Sequence, residues 1–320
     1  MSSVRTVRPT DLVALVTYDG HVYPNVALTR DRTGKQAAPH PLETALEQWF
    51  SFATGRHTWI SIRGATLRGL ASARRRGSKT AWEVDCLIDA AEDDPTVLSG
   101  LLDQVAADAG KAGAEKVFLR VESDSAVVRT ASSCGFLPYL RERLLAVGDA
   151  GERGASTTNV APDETLTLRR WSKADAYPAF RLYNRWTPEP VRRVEAATFR
   201  EWQAARERVS PRRGMHQRVI ERDGEIAGWL RTAADGELGR FDMMAKESAL
   251  FDPLIDEALR RLREQSAIFS LVPEFAEGLR ARLDERGFVE QGEFTVLARS
   301  TTRTVEAPEL APARVQSFPA

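Results

Sequence analysis

Two acidic residues, Glu83 and Asp85, alternate with Trp82, Val84 and Cys86 in the run AWEVDCLID (81–89). Successive strand residues point to opposite faces, so the two carboxylates share one face. A polar face of this kind can line a cleft, and a carboxylate there is suited to accepting a proton; a solvated sheet face gives the same alternation. His57 and His216 open two strand-like runs, HTWISIR and MHQRVIE. An imidazole beside a cleft is also a base, although a repeated strand start explains the recurrence without chemistry. The two cysteines, Cys86 and Cys134, stand in strand-like and helix-end contexts and suit a reduced interior better than a disulfide. Cys134 reads as a small buried hydrophobe. Four scattered histidines, none near a cysteine at ligand spacing, offer no metal site, zinc included.

After AWEVDCLID the chain passes through AAEDDPTVL into an amphipathic run. Junctions of strand and helix often hold phosphate, which needs free N–H groups, small residues and preferably positive charge. Here stand Glu92, Asp93, Asp94 and Pro95. They suit a helix start better, with Asp94 as cap and Pro95 in the first turn. Arg74–Arg76 reads as a solvated turn, and REWQAARERVSPRRG (200–214) as a core-packed helix with a basic outer face.

These residues need elements to hold them. A strand is expected at Val4–Arg8, helices from Thr10 and over Leu42–Ala53, then strands at 57–63, 67–75 and 81–89 as an antiparallel meander. A helix over Thr96–Lys111, a strand at 116–121, a helix over Asp124–Ser133 and a strand ending at Val147 follow. The order then repeats: a strand at 165–170, helices from Lys173 and over Val194–Val209, and three strands with turns at Asp223–Gly224 and Asp235–Gly236. A helix over Leu250–Glu264, the strand AIFSLVP, a helix over Glu274–Arg286 and a last strand complete it. Asp242 is the second-half counterpart of the carboxylates at 83 and 85. The expectation is two domains, 1–147 and 165–302, joined by a Gly/Ala/Ser/Thr-rich linker at 148–164 and followed by a loosely held tail at 303–320.

Forty-five Lys and Arg balance forty-five Asp and Glu, so no overall field favours nucleic acid or an anionic membrane. No uncharged run approaches the ~18–20 residues of a membrane span, and the N-terminal residues lack a signal-peptide core, so a cytoplasmic protein is expected. A dinucleotide-binding Rossmann domain is excluded by the want of a Gly-rich turn after a first strand.

The element order, with SDSAVVRTASSCGF (123–136) and PEFAEGLRARLDERGF (273–288), resembles the Gcn5-related N-acetyltransferase (GNAT) family, whose matching helix has the form N-x-x-A-x-x-x-Y-x-x-x-G-F. The openings TVRPTDLVAL and TLRRWSKADAYPAF resemble its first strand and helix. The resemblance covers both halves and implies an α/β fold with a mixed sheet, in two tandem GNAT-like domains. It implies acetyl-CoA as acyl donor, held by backbone groups at the fourth strand's end and the next helix's start: Leu87, Ile88, Thr96, Val97 and Leu98. The family's R/Q-x-x-G-x-G/A loop aligns with DDPTVL (93–98) and with AKESALFDP (245–253), neither carrying a glycine. The resemblance also implies Glu83, Asp85 and Asp242 as candidate general bases, and places Ala131 and Leu283 where the family keeps a proton-donating tyrosine. Two functions are therefore expected from it: acyl transfer from acyl-CoA to a small-molecule or peptide amine, or a non-catalytic tandem protein that binds a small molecule or a protein. Neither needs a metal, nucleic acid or membrane, and both leave room for a protein partner or a homodimer.

Overall fold

The computed structural model describes residues 3–7, 23–34, 56–63, 66–90, 94–148, 166–207 and 214–301. The helices expected from Thr10 and over Leu42–Ala53, most of the linker and the tail lie outside these residues. In the first half the strands are β1 (Ser3–Thr6), β2 (Arg56–Arg63), β3 (Thr66–Arg75), β4 (Ala81–Asp89), β5 (Lys116–Glu122) and β6 (Leu137–Val147), with helices α1 (Pro95–Lys111) and α2 (Ala126–Ser133). In the second half β7 (Thr167–Arg170) precedes α3 (Ala176–Trp186), α4 (Glu189–Glu195) and α5 (Phe199–Ala205). Strands β8 (His216–Arg222), β9 (Glu225–Asp235) and β10 (Leu238–Ala245), helix α6 (Phe251–Arg261), β11 (Ala267–Pro273), α7 (Glu277–Asp284) and β12 (Val289–Ser300) follow.

Local chemistry sets most boundaries. Asp94 caps α1 by accepting from the Thr96 N–H at 3.2 Å, and Pro95 occupies its first turn. Leu98, Leu101, Leu102 and Val105 bury one face of α1, and each such side chain contributes about 1.5–3 kcal/mol. Asp223 and Gly224 both have positive φ, as a two-residue β8–β9 hairpin turn requires. The single helix expected over 194–209 is corrected to two short helices that part at Ala196, whose backbone is extended. Thr198 begins the second by accepting from the Glu201 N–H, while Glu201 reaches back to the Ala197 N–H at 2.8 Å.

The twelve strands among the described residues form one sheet in the order β1-β2-β3-β4-β5-β12-β6-β11-β10-β9-β8-β7. The two halves exchange their last strands. β12 pairs with β5 from Phe294↔Glu122 to Ser300↔Lys116, and β6 pairs with β11 from Ile268↔Val147 to Pro273↔Glu142. The cores follow the exchange: Leu297 of β12 packs with α1 and α2, and Leu145 and Val147 of β6 pack with α6 and α7.

The two parallel pairs hold together only briefly. β4 and β5 register over Ala81↔Lys116, Trp82↔Val117 and Glu83↔Phe118, and β10 and β11 over Leu238↔Ala267, Gly239↔Ile268 and Arg240↔Phe269. Beyond these points each pair diverges, giving each half an opening between two strands.

Candidate functional site

The first opening is filled by the chain itself. Val26 N–H donates to the Leu87 carbonyl and Leu28 N–H to the Arg120 carbonyl, both at 2.9 Å, so residues 25–29 bridge the two diverging strands. Asn25 completes the join: its Oδ1 accepts from the Leu87 N–H at 2.8 Å, and its Nδ2 donates to the Asp85 carbonyl at 3.1 Å. Arg32 donates to the same carbonyl at 3.1 Å. Ala27 is buried in the first core. At the segment's end Gly34 has φ +75°, and a Cβ there would meet the Phe269 ring at 2.3 Å, so the close approach to β11 requires glycine.

The sequence-derived site residues of this half lie around that filling. Glu83 accepts from Arg74 at 2.7 Å and from Arg76 at 3.3 Å, and burial above all raises its pKa. Asp85 is fully buried, accepts from Ser72 at 2.7 Å and pairs with Arg56. Leu87 has both backbone groups engaged by Asn25 and Val26. Ile88 packs beside Ile60, Leu67 and Leu70, and Val97 and Leu98 are core residues. The Thr96 N–H and hydroxyl both go to Asp94, which also faces Arg68 at 3.5 Å. An acyl-CoA does not fit this half: the amides that would hold it are bonded within the chain, and the slot contains Ala27. His57 is stacked on Trp82 at 4.7 Å, and burial chiefly lowers its pKa.

The second opening leads into a cavity of about 150 Å³. Met243 and Met244 of β10 and Ser270 and Leu271 of β11 line its strand side, and Tyr183, Trp186, Val191 and Glu195 of the α3–α4 region close it. Trp186 and Phe275 meet edge to face at 5.0 Å across the rim. Glu195 is the last residue of α4, where the helix dipole disfavours a carboxylate. It accepts from the Tyr183 hydroxyl at 3.0 Å and forms no ion pair among the described residues. Burial is the main cause of its raised pKa, opposed by more distant Arg76 and Arg30. A half-buried carboxylate without a counter-ion among the described residues is a candidate proton acceptor.

Asp242 lines the same cavity in another state. Arg231 holds it at 2.6 Å and Arg30 at 2.5 Å; burial opposes, but these two cations lower its pKa. Arg30 comes from the segment that fills the first opening, and it also pairs with Glu142 and with Glu207 at 3.2 Å. Arg120 joins Glu142 and Glu207, each at 2.7 Å, and Arg76 joins Glu207 at 3.3 Å, so a buried ion network connects the two openings.

The helix starts differ as well. In the second half a short turn, Ser248–Leu250, precedes α6, with Lys246 exposed before it. Asp252, in the first turn of α6, is neutralised by Arg286 at 2.8 Å and Arg282 at 3.7 Å. In this half β10 and β11 part over an open cavity, and the acidic side chain at the helix start is compensated, as the site of an acyl-CoA would require. Leu283 is fully buried and Ala131 likewise, so neither supplies an acid. Among the described residues no cluster of three His, Cys, Asp or Glu side chains could hold a metal ion, and no helix is long and apolar enough to cross a membrane.

No protein-family model matches the sequence, and comparison with curated proteins finds no match. Comparison with solved structures does. A GCN5-related N-acetyltransferase from Sphaerobacter thermophilus superposes with a TM-score of 0.55 at 13% identity, over 94% of this chain and 97% of that one. A tandem GNAT protein from the clavulanic acid biosynthesis pathway gives 0.52 at 13% identity, over 95% of this chain and all of the other. The chain therefore has the tandem GNAT fold; at this identity the likeness speaks for the fold alone.

Proposed function

We propose that this protein is an acyl-CoA-dependent N-acyltransferase whose chemistry is confined to its second half, passing an acetyl or related acyl group to an amine. One observation carries the reading: of two equivalent openings, the first is filled by residues 25–29 and the second gives onto a cavity holding an unpaired carboxylate. The GNAT fold makes acyl transfer the chemistry to expect of that cavity.

The backbone of β10 at Met243–Met244 and the start of α6 would hold the donor, which supplies an acyl thioester when bound. Glu195 takes a proton from the incoming ammonium, leaving a neutral nitrogen lone pair; Tyr183 fixes the carboxylate through its 3.0 Å hydrogen bond. Met243, Met244 and Leu271 exclude water from the wall opposite. Asp242 is the weaker base, because two guanidiniums hold it ionised; its part is to fix Arg30 and Arg231. Glu83 and Asp85 serve the ion pairs beneath the filled opening. The first half acts as the non-catalytic partner.

Calorimetric titration with acetyl-CoA tests the reading. One saturable site per chain is expected, lost in Ser270→Trp, which fills the second opening. Glu195→Gln is expected to retain that site and lose turnover by about 10²–10⁴-fold. No heat at millimolar acetyl-CoA would overturn the proposal and favour a tandem binding module; two sites per chain would overturn its confinement to one half.

A further inference from the structure

The cavity wall carries information about the acceptor, on the premise that the second opening is the reacting one. Four aromatic side chains, Tyr183, Trp186, Trp229 and Phe275, face a space of about 150 Å³, with Met243 and Met244 as adaptable filler. Five charged residues also reach it: Arg30, Arg231, Glu142, Asp242 and Glu195. Arg30 pairs with Glu142 and Asp242, and Arg231 with Asp242, so four of the five satisfy one another. Three carboxylates against two guanidiniums leave a net charge of −1, and the surplus lies at Glu195.

We propose that the acceptor is a small monoamine on an apolar, ring-sized body, bound as its ammonium at Glu195 with the body against Tyr183, Trp186 and Phe275. One positive centre balances the single unpaired carboxylate, and aromatic faces add attraction for the cation and area for the hydrocarbon. A second ammonium on the same molecule finds no carboxylate to balance it, because Glu142 and Asp242 are already held by Arg30 and Arg231. Diamines, polyamines and basic amino acids are disfavoured on that ground. Polyhydroxylated amines are disfavoured because the aromatic and Met walls leave their hydroxyls unpaired.

The test is equilibrium binding to the full chain in the absence of any acyl donor, so that it stands or falls apart from acyl-CoA chemistry. Indole fluorescence of Trp186 and Trp229 supplies the signal, with benzylamine, benzyl alcohol and putrescine as probes near pH 7. Benzylamine is expected to bind at least tenfold more tightly than either of the others. Glu195→Gln should abolish the preference for amine over alcohol, and Trp186→Ala should weaken both ring compounds alike; unchanged melting temperatures establish that the variants are folded. Equal binding of benzylamine and benzyl alcohol, putrescine binding as tightly as benzylamine, or binding of none of the three overturns the proposal. Binding as expected with no acyl transfer from acetyl-CoA leaves the acceptor site standing and removes the enzymatic reading instead.

Discussion

Glu207 is the point on which the junction between the halves should break. Its carboxylate accepts from Arg30 through the backbone N–H at 3.3 Å and Nε at 3.2 Å, from Arg76 at 3.3 Å, and from Arg120 at 3.3 and 2.7 Å. Burial alone would raise its pKa, but Arg120, Arg76 and Arg30 together hold it well below 4.5. Glu207→Gln keeps the shape, removes the charge and turns an NH₂ group toward donors. Removing one partner of a buried ion pair costs roughly 3–5 kcal/mol. The lower end applies, because Arg30 keeps Glu142 and Asp242, Arg120 keeps Glu142, and Arg76 keeps Glu83. About 3 kcal/mol corresponds to a fall in Tm of roughly 6–12 °C on the scale of 2–4 °C per kcal/mol. A carboxylate with a depressed folded-state pKa contributes stability that is complete above its unfolded value of about 4.5 and lost as pH falls through the folded value. Wild type and variant should therefore differ fully at pH 7 and converge in strong acid. Urea unfolding at pH 7 and at decreasing pH measures both. A loss below about 1 kcal/mol at pH 7, or a gap that widens in acid, would refute the reasoning.

Asp94→Ala removes the cap of α1 and should cost about 1 kcal/mol in urea unfolding, with no change in acetyl-CoA affinity, since the first opening is closed. Gly34→Ala meets both the left-handed φ and the Phe269 ring; a loss of roughly 1–3 kcal/mol is expected, with faster amide exchange over residues 25–29. Residues 1–148 expressed alone lose β12 from beside both β5 and β6, and should fail to give a folded monomer by size exclusion and near-UV circular dichroism.

Strand and helix order was largely legible, because strand alternation and the apolar face of α1 are local signals and the second half repeats them. The parting of α4 from α5 was missed: Thr198 and Glu201 stand at capping spacing, but the run 194–209 reads as one continuous helix. Carboxylates at 83, 85 and 242 were visible, whereas their guanidinium partners were not: Arg74 and Arg76, whose run reads as a solvated turn, are the partners of buried Glu83, and Arg30 lies 212 residues from Asp242. Glu195 carried one faint signal, an acidic residue where a short helix ends. Its Tyr183 partner comes from the preceding helix, and the cavity it faces is made by strands that follow. The filling of the first opening had no local signal: residues 25–29 have no hydrophobic period and take their order from backbone groups that β4 and β5 leave free.

The asymmetry between the openings has an energetic basis. Five hydrogen bonds join residues 25–32 to backbone groups of Asp85, Leu87 and Arg120. At about 1 kcal/mol net each they contribute roughly 5 kcal/mol, a factor of more than a thousand in favour of the filled state. A ligand entering the first opening must overcome that term before gaining any contact of its own. It must also move the chain that carries Arg30, and so withdraw a cation from Asp242 and Glu142 at the other cavity, changing the charge on that wall from −1 to −2. Between β10 and β11 the Arg30 side chain reaches across, donating to Asp242 at 2.5 Å and to the Leu271 carbonyl at 3.4 Å, whereas no backbone segment among the described residues fills that opening as residues 25–29 fill the first. Closure of the first opening and the charge balance of the second are thus one structural feature, with Arg30 belonging to both.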